Sequence, residues 1–283
     1  MKYIVAVSGG IDSVVLLDLL SKQVGEFVVA HVDHGIRQDS AEDEKFVCRL
    51  AEGYGLQFVS TRLELGSGAS EEAARHARYE WLDEVMVSHG ADTVITAHHE
   101  DDVLETMCIN LLRGTGWRGL SSLRSTPTRI RPLLGWSKAQ IVEYALSHEL
   151  AWREDSTNES FAYFRNRIRS SVIPRLTAEQ RQKLRGLYVD QLRLLEQIEQ
   201  ETADKRSLFI RENLLRRYET MMVDDEVASE FIRQWLGAPL ERKRQRELLL
   251  FLKTARTGSR WSLDRERFVL AKESGLIVVR PRG

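Results

Sequence analysis

The chain has 283 residues, of which 42% are hydrophobic and 29% charged, so it can bury a sizeable core as one large domain and one small one. Its first ten residues lack the long apolar region of a signal peptide, and no segment approaches the roughly 18 uninterrupted apolar residues that cross a bilayer, which predicts a cytoplasmic enzyme without membrane insertion. The net charge of −1 hides an asymmetry, because residues 1–150 carry −8 and residues 151–283 carry +7.

The front half alternates strand-like and helix-like segments. Short apolar runs predict strands at residues 3–7, 27–32, 58–63 and 93–97, and apolar periodicity predicts helices at residues 14–20, 41–54, 71–88 and up to residue 112. This alternation predicts an α/β domain with a doubly wound parallel sheet. In such sheets ligands bind beyond the carboxyl ends of the strands, so residues at those ends are the first candidates for function.

The back half has a different character. Charged helices are predicted at residues 179–206 and 227–235 with no strand between them, and apolar runs at 268–271 and 276–279 predict a β-hairpin. We therefore expect a first domain at residues 1–178, a linker helix at 179–205 and a smaller helical and β-hairpin domain at 206–283. The basic excess here indicates a polyanionic partner, although charges spread over solvated helices would give the same count.

The strongest motif is a glycine-rich loop between the first predicted strand and the first predicted helix. Two glycines let the backbone approach an anion closely, and the helix that follows offers N–H groups and a positive dipole. The sequence predicts a phosphate cradle in which Asp12 holds Mg²⁺, whereas the alternative is a tight strand-to-helix turn capped by serine. The loop comprises Ser8, Gly9, Gly10, Ile11, Asp12 and Ser13.

Two polar clusters follow the second and fourth predicted strands. Residues 31–37 read His-Val-Asp-His-Gly-Ile-Arg, and residues 97–106 read Ala-His-His-Glu-Asp-Asp-Val-Leu-Glu-Thr. Both lie where the topology places a ligand. Paired His and Asp side chains suit a metal site or act as donors to phosphate or base, and acids at a helix start also stabilise the helix dipole.

Three segments combine arginine with aromatic or glycine residues, which favours contact with nucleic acid. In the first, Glu71, Arg75, Arg78 and Tyr79 share one helix face, and a structural Glu71–Arg75 pair is the alternative. The second is the glycine-rich loop at 111–120, with Arg113, Trp117 and Arg118. The third, at 160–176, carries no acid and contains three aromatic residues and Arg165, Arg167, Arg169 and Arg175.

In chain order, eight blocks resemble the tRNA(Ile)-lysidine synthase family of PP-loop ATP pyrophosphatases, and together they cover residues 3–176. The first five are the glycine-rich loop, His-Val-Asp-His-Gly, Glu-x-x-x-Arg-x-x-Arg-Tyr, His-His-x-Asp-Asp and Leu-Arg-Gly-x-Gly. The others are Arg-Pro-Leu-Leu at 131–134, Trp-x-Glu-Asp-Ser-x-Asn at 152–158 and Arg-Asn-x-Ile-Arg at 165–169. The resemblance implies a PP-loop domain and a tRNA-binding C-terminal domain.

The resemblance also implies a reaction. ATP with Mg²⁺ adenylates the C2 carbonyl oxygen of the wobble cytidine in an isoleucine tRNA with a CAU anticodon, and the ε-amine of free L-lysine then displaces AMP. By this analogy residues 8–13 hold ATP, Asp33 and Arg113 serve the reacting centre, and Asp101, Asp102 and Glu105 are candidates for the lysine ammonium. The candidates for tRNA contact are Arg75, Arg78, Arg118, Arg165, Arg167 and Arg169. The same analogy allows a homodimer.

Two departures from the family pattern and two alternatives stand beside this prediction. Gln140 occupies a position where the family often has Glu, and the chain has room for one appended domain where many members carry two. A tRNA thiolase on the same scaffold is disfavoured because Cys48 and Cys108 are isolated, unlike a Cys-x-x-Cys pair. A non-catalytic RNA module is disfavoured because Asp12, His98 and Arg113 are all present.

Overall fold

The computed structural model describes residues 1–33, 40–63, 71–115, 117–153, 164–238, 240–264 and 266–279. The chain forms two compact units, Met1–Gln191 and Leu192–Gly283. Within the described ranges, no helix combines the length and the apolar character needed to cross a membrane.

The first unit is built on a five-stranded parallel sheet. Its strands are β1 (Lys2–Ala6), β2 (Glu26–Asp33), β3 (Gln57–Arg62), β4 (Thr93–Ile95) and β5 (Arg129–Ile130). They lie in the order β3-β2-β1-β4-β5, with Val5 of β1 paired to Val29 and to Ile95. The winding direction reverses between β1 and β4, so the crevice beyond their carboxyl ends is the switch point where such sheets bind ligands.

Helices connect the strands and cover both faces of the sheet. They are α1 (Ile11–Ser21), α2 (Ser40–Gly53), α3 (Glu71–Ser88) and α4 (Glu100–Leu112). On one face Val5 and Val29 belong to a core with α1 and α2, and on the other Ile4 and Val28 pack with Leu82 of α3. Because β1 is buried on both faces, it is a continuous apolar run. The doubly wound α/β prediction is confirmed.

Further helices follow the sheet. These are α5 (Trp117–Leu120), α6 (Lys138–Ser147), α7 (Phe164–Ser171), a 3-10 helix (Ile173–Arg175) and α8 (Ala178–Phe209). The 32 residues of α8 run through the boundary between the two units. The helix predicted at 179–206 is therefore present, while its role as a linker stays a prediction.

The described residues of the second unit form a five-stranded antiparallel sheet, three helices and the carboxyl-terminal part of α8. Its strands β6 (Ile210–Arg211), β7 (Leu214–Arg216), β8 (Arg260–Ser262), β9 (Phe268–Ala271) and β10 (Gly275–Val279) lie in the order β6-β7-β10-β9-β8. The helices are α9 (Arg217–Met221), α10 (Asp225–Leu236) and α11 (Arg242–Thr254). In its core the rings of Phe209 and Phe231 stack with centroids 3.8 Å apart.

The predicted hairpin is confirmed as β9 and β10. The prediction that no strand lies between the charged helices is wrong, because β6 and β7 lie there. Strands of two and three residues are too short to show an alternating pattern, so the sequence carries little signal for them.

Candidate active site

The loop between β1 and α1 folds around the hydroxyl of Ser13. The backbone N–H groups of Ser8 and Gly9 each donate to Ser13 Oγ at 3.2 Å, and this hydroxyl donates to the carbonyl of Gly10 at 2.8 Å. Gly10 is the N-cap of α1 and has an extended backbone. The loop therefore places the amino terminus of α1 at the switch point, an arrangement that binds anions.

Gly9 has a backbone conformation that requires glycine. Its φ is +91°, and a Cβ atom added there would lie 3.3 Å from Cγ2 of Val47 in α2. Its carbonyl accepts a hydrogen bond from the backbone N–H of Arg153 at 2.9 Å. The Arg153 side chain pairs with Asp43 at 2.8 Å, so two distant segments support the loop.

Asp12, in the first turn of α1, contacts residues from two other elements. Its Oδ1 lies 2.5 Å from Nζ of Lys138, the first residue of α6, and 3.8 Å from Nε2 of His99, which follows β4. One carboxylate beside a phosphate cradle fits Mg²⁺, which takes most of its ligands from phosphates and water. Among the described residues, no group of three His, Cys, Asp or Glu side chains is arranged to hold a metal.

His99 is buried and links the loop to α4. As the N-cap of α4, its side chain accepts from the backbone N–H of Asp101 through Nδ1 at 3.3 Å. A neutral ring that accepts at Nδ1 carries its proton on Nε2. That nitrogen faces two carboxylates, Asp12 at 3.8 Å and Asp102 at 3.6 Å. The ring therefore lies beside the Asp12 carboxylate at the switch point.

His98 is neutral at physiological pH. Its pKa is lowered to about 3, chiefly by burial and also by the nearby charges of Arg131, Arg78 and Arg75, while Asp102 opposes the shift. Its Nδ1 lies 2.8 Å from Oγ1 of Thr96. A neutral imidazole in this position serves as a hydrogen-bond donor or acceptor rather than as a charge.

The acidic start of α4 is paired with arginines from later in the chain. Asp102 and Glu105 both contact Arg169, at 2.6 and 3.0 Å, and Glu105 also pairs with Arg165. Asp101 is paired with Arg181 at 2.5 Å, and Glu100 with Arg185 at 2.6 Å. The predicted lysine ligands therefore already have cationic partners, and two predicted tRNA contacts, Arg165 and Arg169, are the partners of Asp102 and Glu105.

The pKa of Asp102 is lowered by its neighbours more than it is raised by burial, whereas burial has the larger effect on the pKa of Glu105. Burial opposes ionisation of Asp102, yet the adjacent His99 ring, the Arg169 guanidinium and the backbone N–H of His99 hold its pKa below the usual value. At Glu105 burial raises the pKa, although Arg165 and Arg169 act against it. The pairs of α4 and α7 are thus a partly dehydrated ionic network.

Three arginines surround the ring of Tyr79. The guanidinium groups of Arg75 and Arg78 each lie 5.2 Å from its centroid, and that of Arg129 lies 5.4 Å away. Burial would raise the pKa of Tyr79, but Arg75, Arg78 and Arg131 lower it. The predicted arginine face of α3 is thus directed at a tyrosine beside Arg131.

The two residues predicted for the reacting centre lie in different places. Asp33 is buried at the carboxyl end of β2, next to the strand that leads into the loop, and Arg62 lies 3.7 Å from its carboxylate. Arg113 is the exposed C-cap of α4. At about 1.5 Å per residue, this is roughly 20 Å along α4 from His99, so the structure does not bring Arg113 to the loop.

The remaining predicted contacts are distributed more widely. Arg118 lies in α5, and Arg167 is exposed on α7. The second half of the His-Val-Asp-His-Gly block, Gly116 and residues 155–158 lie outside the described residues. Cys48 and Cys108 are partly buried and unpaired, and burial raises the pKa of each thiol.

Sequence reasoning missed three residues of this site, Lys138, Arg181 and Arg185, and gave no role to Arg131 of the Arg-Pro-Leu-Leu block. All four approach the loop or α4 from segments far along the chain. The sequence does predict the position of Lys138 at a helix start, because Lys138 follows Ser137, which forms a capping box with Gln140. The box fixes the start of α6, and Gln140 fills the N3 role that a Glu would also fill.

Comparison with known proteins assigns the same part of the chain to a family with a phosphate-binding loop. A family model described as a PP-loop domain matches residues 1–176. A tRNA(Ile)-lysidine synthase of Exiguobacterium sibiricum is 41% identical over 177 residues, which are 61% of this chain and 43% of that protein. One of Geobacter sulfurreducens is 40% identical over 188 residues, 62% of this chain and 40% of that protein. The chain thus spans about two fifths of the length of these relatives.

A solved structure with a similar fold is a U34-tRNA thiolase, NcsA, from Methanococcus maripaludis, described with its 4Fe-4S cluster. It superposes with a TM-score of 0.58 at 21% identity and covers 69% of this chain and 73% of the thiolase chain. At this identity the likeness concerns the fold alone.

Proposed function

Since the chain belongs to the PP-loop domain family, whose loop implies ATP binding, we propose that it is a tRNA(Ile)-lysidine synthase, a ligase that joins free L-lysine to a cytidine of tRNA. The observation that carries the proposal is the constellation at the switch point. There an anion-binding loop, the Asp12 carboxylate, the Lys138 ammonium and the His99 imidazole meet at the ends of β1 and β4. About 40% identity to two lysidine synthases across this unit supports it.

The proposed reaction has two steps. In the first, the C2 carbonyl oxygen of the wobble cytidine attacks the α-phosphorus of ATP, an O–P bond forms, and pyrophosphate leaves. In the second, the neutral ε-amine of lysine attacks C2, a C–N bond forms, and the C2–O bond breaks so that the oxygen leaves with AMP. The amine loses its proton to a base. Activation is needed because the carbonyl oxygen alone is a poor leaving group.

Residues of the loop and its neighbours stabilise the phosphates. The amino terminus of α1 and the hydroxyl of Ser8 are donors to phosphate oxygens, while Ser13, whose hydroxyl donates to the carbonyl of Gly10, holds the loop in shape. Lys138 lies beside Asp12 and supplies positive charge where pyrophosphate leaves. Mg²⁺ held through Asp12 would neutralise the polyphosphate.

The remaining roles follow the resemblance. Asp33 is proposed as the base or orienting group for the amine, because it is buried at the end of the neighbouring strand. Arg113 would act on the developing charge only after the segment that follows α4 moves, given its distance from the loop. The anticodon CAU of tRNA(Ile), the cytoplasmic location, a homodimer and tRNA contacts by residues 206–283 belong to the same proposal.

An oxygen-transfer experiment tests the activation step. A tRNA(Ile) transcript with ¹⁸O at C2 of its wobble cytidine is incubated with ATP, Mg²⁺ and lysine, and the AMP is analysed by mass spectrometry. We expect one ¹⁸O in each AMP released. Unlabelled AMP, with ¹⁸O retained in the RNA, would contradict adenylation of the carbonyl oxygen.

A further inference from the structure

We propose that Arg75, Arg78 and Arg131, here called the arginine cluster, form the binding site for the carboxylate of the free amino acid that attacks the activated base. The inference rests on the proposed function, because it assigns a recognition site to the amino-acid substrate of that reaction.

The arginine cluster concentrates positive charge without a carboxylate partner. Among the described residues, none of its three members makes an ion pair, whereas neighbouring Arg129 is paired with Asp83. All three side chains are partly buried, and burial lowers the pKa of Arg78, with Arg75 adding to the effect. Because partly buried cations without a counter-ion are costly, the cluster is suited to an anionic ligand.

By hydrogen-bond geometry, Nε of Arg131 and the neighbouring hydroxyl of Tyr79 are buried without a well-aligned partner among the described residues. The Tyr79 hydroxyl lies close enough to Arg78 and Arg131 for hydrogen bonding to contribute to the pKa shifts of Tyr79 and Arg78, so these groups line one recess. Nη1 of Arg131 donates to the carbonyl of Arg124, which holds the guanidinium in place. Unpaired buried groups of this kind are rare unless a ligand or water satisfies them. A carboxylate is planar and small, so it can enter the recess and accept from a guanidinium edge and a tyrosine hydroxyl.

The arginine cluster lies at the same edge of the sheet as the loop. Arg131 directly follows β5, and its charge is felt by His98, which follows β4. The next residue, His99, contacts Asp12 of the loop. An amino acid anchored by its carboxylate is thereby placed beside the switch point. The acids of α4 already have arginine partners, so α4 does not compete with the arginine cluster for the charged groups of the substrate.

Two ligands that differ only in the carboxylate measure how much this group contributes to binding. Lysine and cadaverine, which is lysine without its carboxylate, are titrated calorimetrically onto the protein in the presence of Mg²⁺ and α,β-methylene-ATP. We expect wild type to bind lysine at least about tenfold more tightly than cadaverine, and Arg78→Met or Arg75→Met to remove most of that preference. Cadaverine affinity should stay within about twofold. The exposed Arg49→Met in α2 is the matched control and should keep the preference.

Other outcomes overturn the inference. An unchanged preference for lysine combined with weaker, less salt-dependent tRNA binding would make the arginine cluster an RNA phosphate site. If Arg78→Met does not fold, Arg75→Met and Arg131→Lys carry the test, with thermal unfolding measured for each. Failure of the proposed function looks different, because wild type would then prefer lysine over cadaverine and still form no lysidine. If the wild-type protein binds lysine no more tightly than cadaverine, the proposed carboxylate site is contradicted.

Discussion

Gly9 has a backbone conformation that favours glycine, and it also belongs to the proposed phosphate-binding loop. Its φ of +91° and the 3.3 Å approach of Val47 disfavour a Cβ atom, whereas neighbouring Gly10 has a φ of −72° and room for one. We predict that Gly9→Ala lowers the free energy of unfolding by about 1–2 kcal/mol, while Gly10→Ala changes it by less than about 0.5 kcal/mol. Urea denaturation measures both. Equal losses would contradict the strained geometry assigned to Gly9.

His98 predicts a pH dependence of stability. Its pKa is about 3 in the folded protein, below the ordinary 6.5, so the unfolded chain takes up the proton first as the pH falls. The stabilisation is therefore complete above pH 6.5 and is lost progressively toward pH 3. We expect wild type to lose up to about 1.4 kcal/mol more per pH unit below 6.5 than His98→Gln.

Denaturation at pH 6.5 and at about pH 5 measures this difference. The same substitution at exposed His76 is the control and should leave the wild-type slope in place. A His98→Gln protein with the full wild-type slope would show that His98 is not held neutral by its surroundings.

At the scale of elements, the network between α4 and α7 decides between two roles for Arg169. It contacts Asp102 and Glu105, of which Glu105 is almost fully buried, whereas Arg167 on the same helix is exposed. We predict that Arg169→Met destabilises the protein by about 2 kcal/mol, less than the ~3–5 kcal/mol of a fully buried pair because Arg169 is partly exposed. Arg167→Met should cost under about 0.5 kcal/mol.

Chemical denaturation and tRNA binding, measured on both variants, complete this test. Arg167→Met should weaken tRNA binding if α7 contacts RNA. A stable Arg169→Met protein with a specific loss of tRNA affinity would contradict the structural role of Arg169 and support its predicted RNA contact.

The sequence predicted the elements of the first unit better than it predicted their partners. The loop at Ser8 was recognisable because its glycines, serines and following helix lie within one short segment. By contrast, Arg181 pairs with Asp101 across 80 positions, and Lys138 pairs with Asp12 across 126. Pairing at such separations is set by how helices pack, and local periodicity contains no information about it.

At the scale of the whole molecule, charge is divided between the two ends of the chain. In the second unit, Arg244 stacks over Trp261 with its guanidinium 4.4 Å from the ring and donates to the carbonyl of Leu263 at 3.0 Å. Lys243 and Arg246 of the same helix are exposed. Arg244 is therefore used within the fold of the second unit, whereas Lys243 and Arg246 are exposed to solvent and can contact a ligand. The sequence alone shows one basic run and does not separate these two groups.

This division predicts which cations of α11 serve RNA binding. Lys243→Glu with Arg246→Glu should weaken tRNA binding several-fold at moderate salt and reduce the salt slope by roughly 1.4–1.8, as expected for two lost phosphate contacts. Filter binding over a range of salt concentrations measures both quantities. The exposed Lys45→Glu in the first unit is the control. An unchanged slope in the double variant would exclude α11 from the RNA interface.

The most direct test of the proposed function is transfer of labelled lysine. The purified protein is incubated with ATP, Mg²⁺ and labelled L-lysine, in one reaction with unmodified tRNA(Ile) bearing a CAU anticodon and in another with methionine tRNA bearing the same anticodon. We predict label on the isoleucine tRNA only, with one AMP released for each lysine attached. AMP release without label on either folded tRNA would contradict lysidine synthesis and indicate a different ATP-dependent RNA modification.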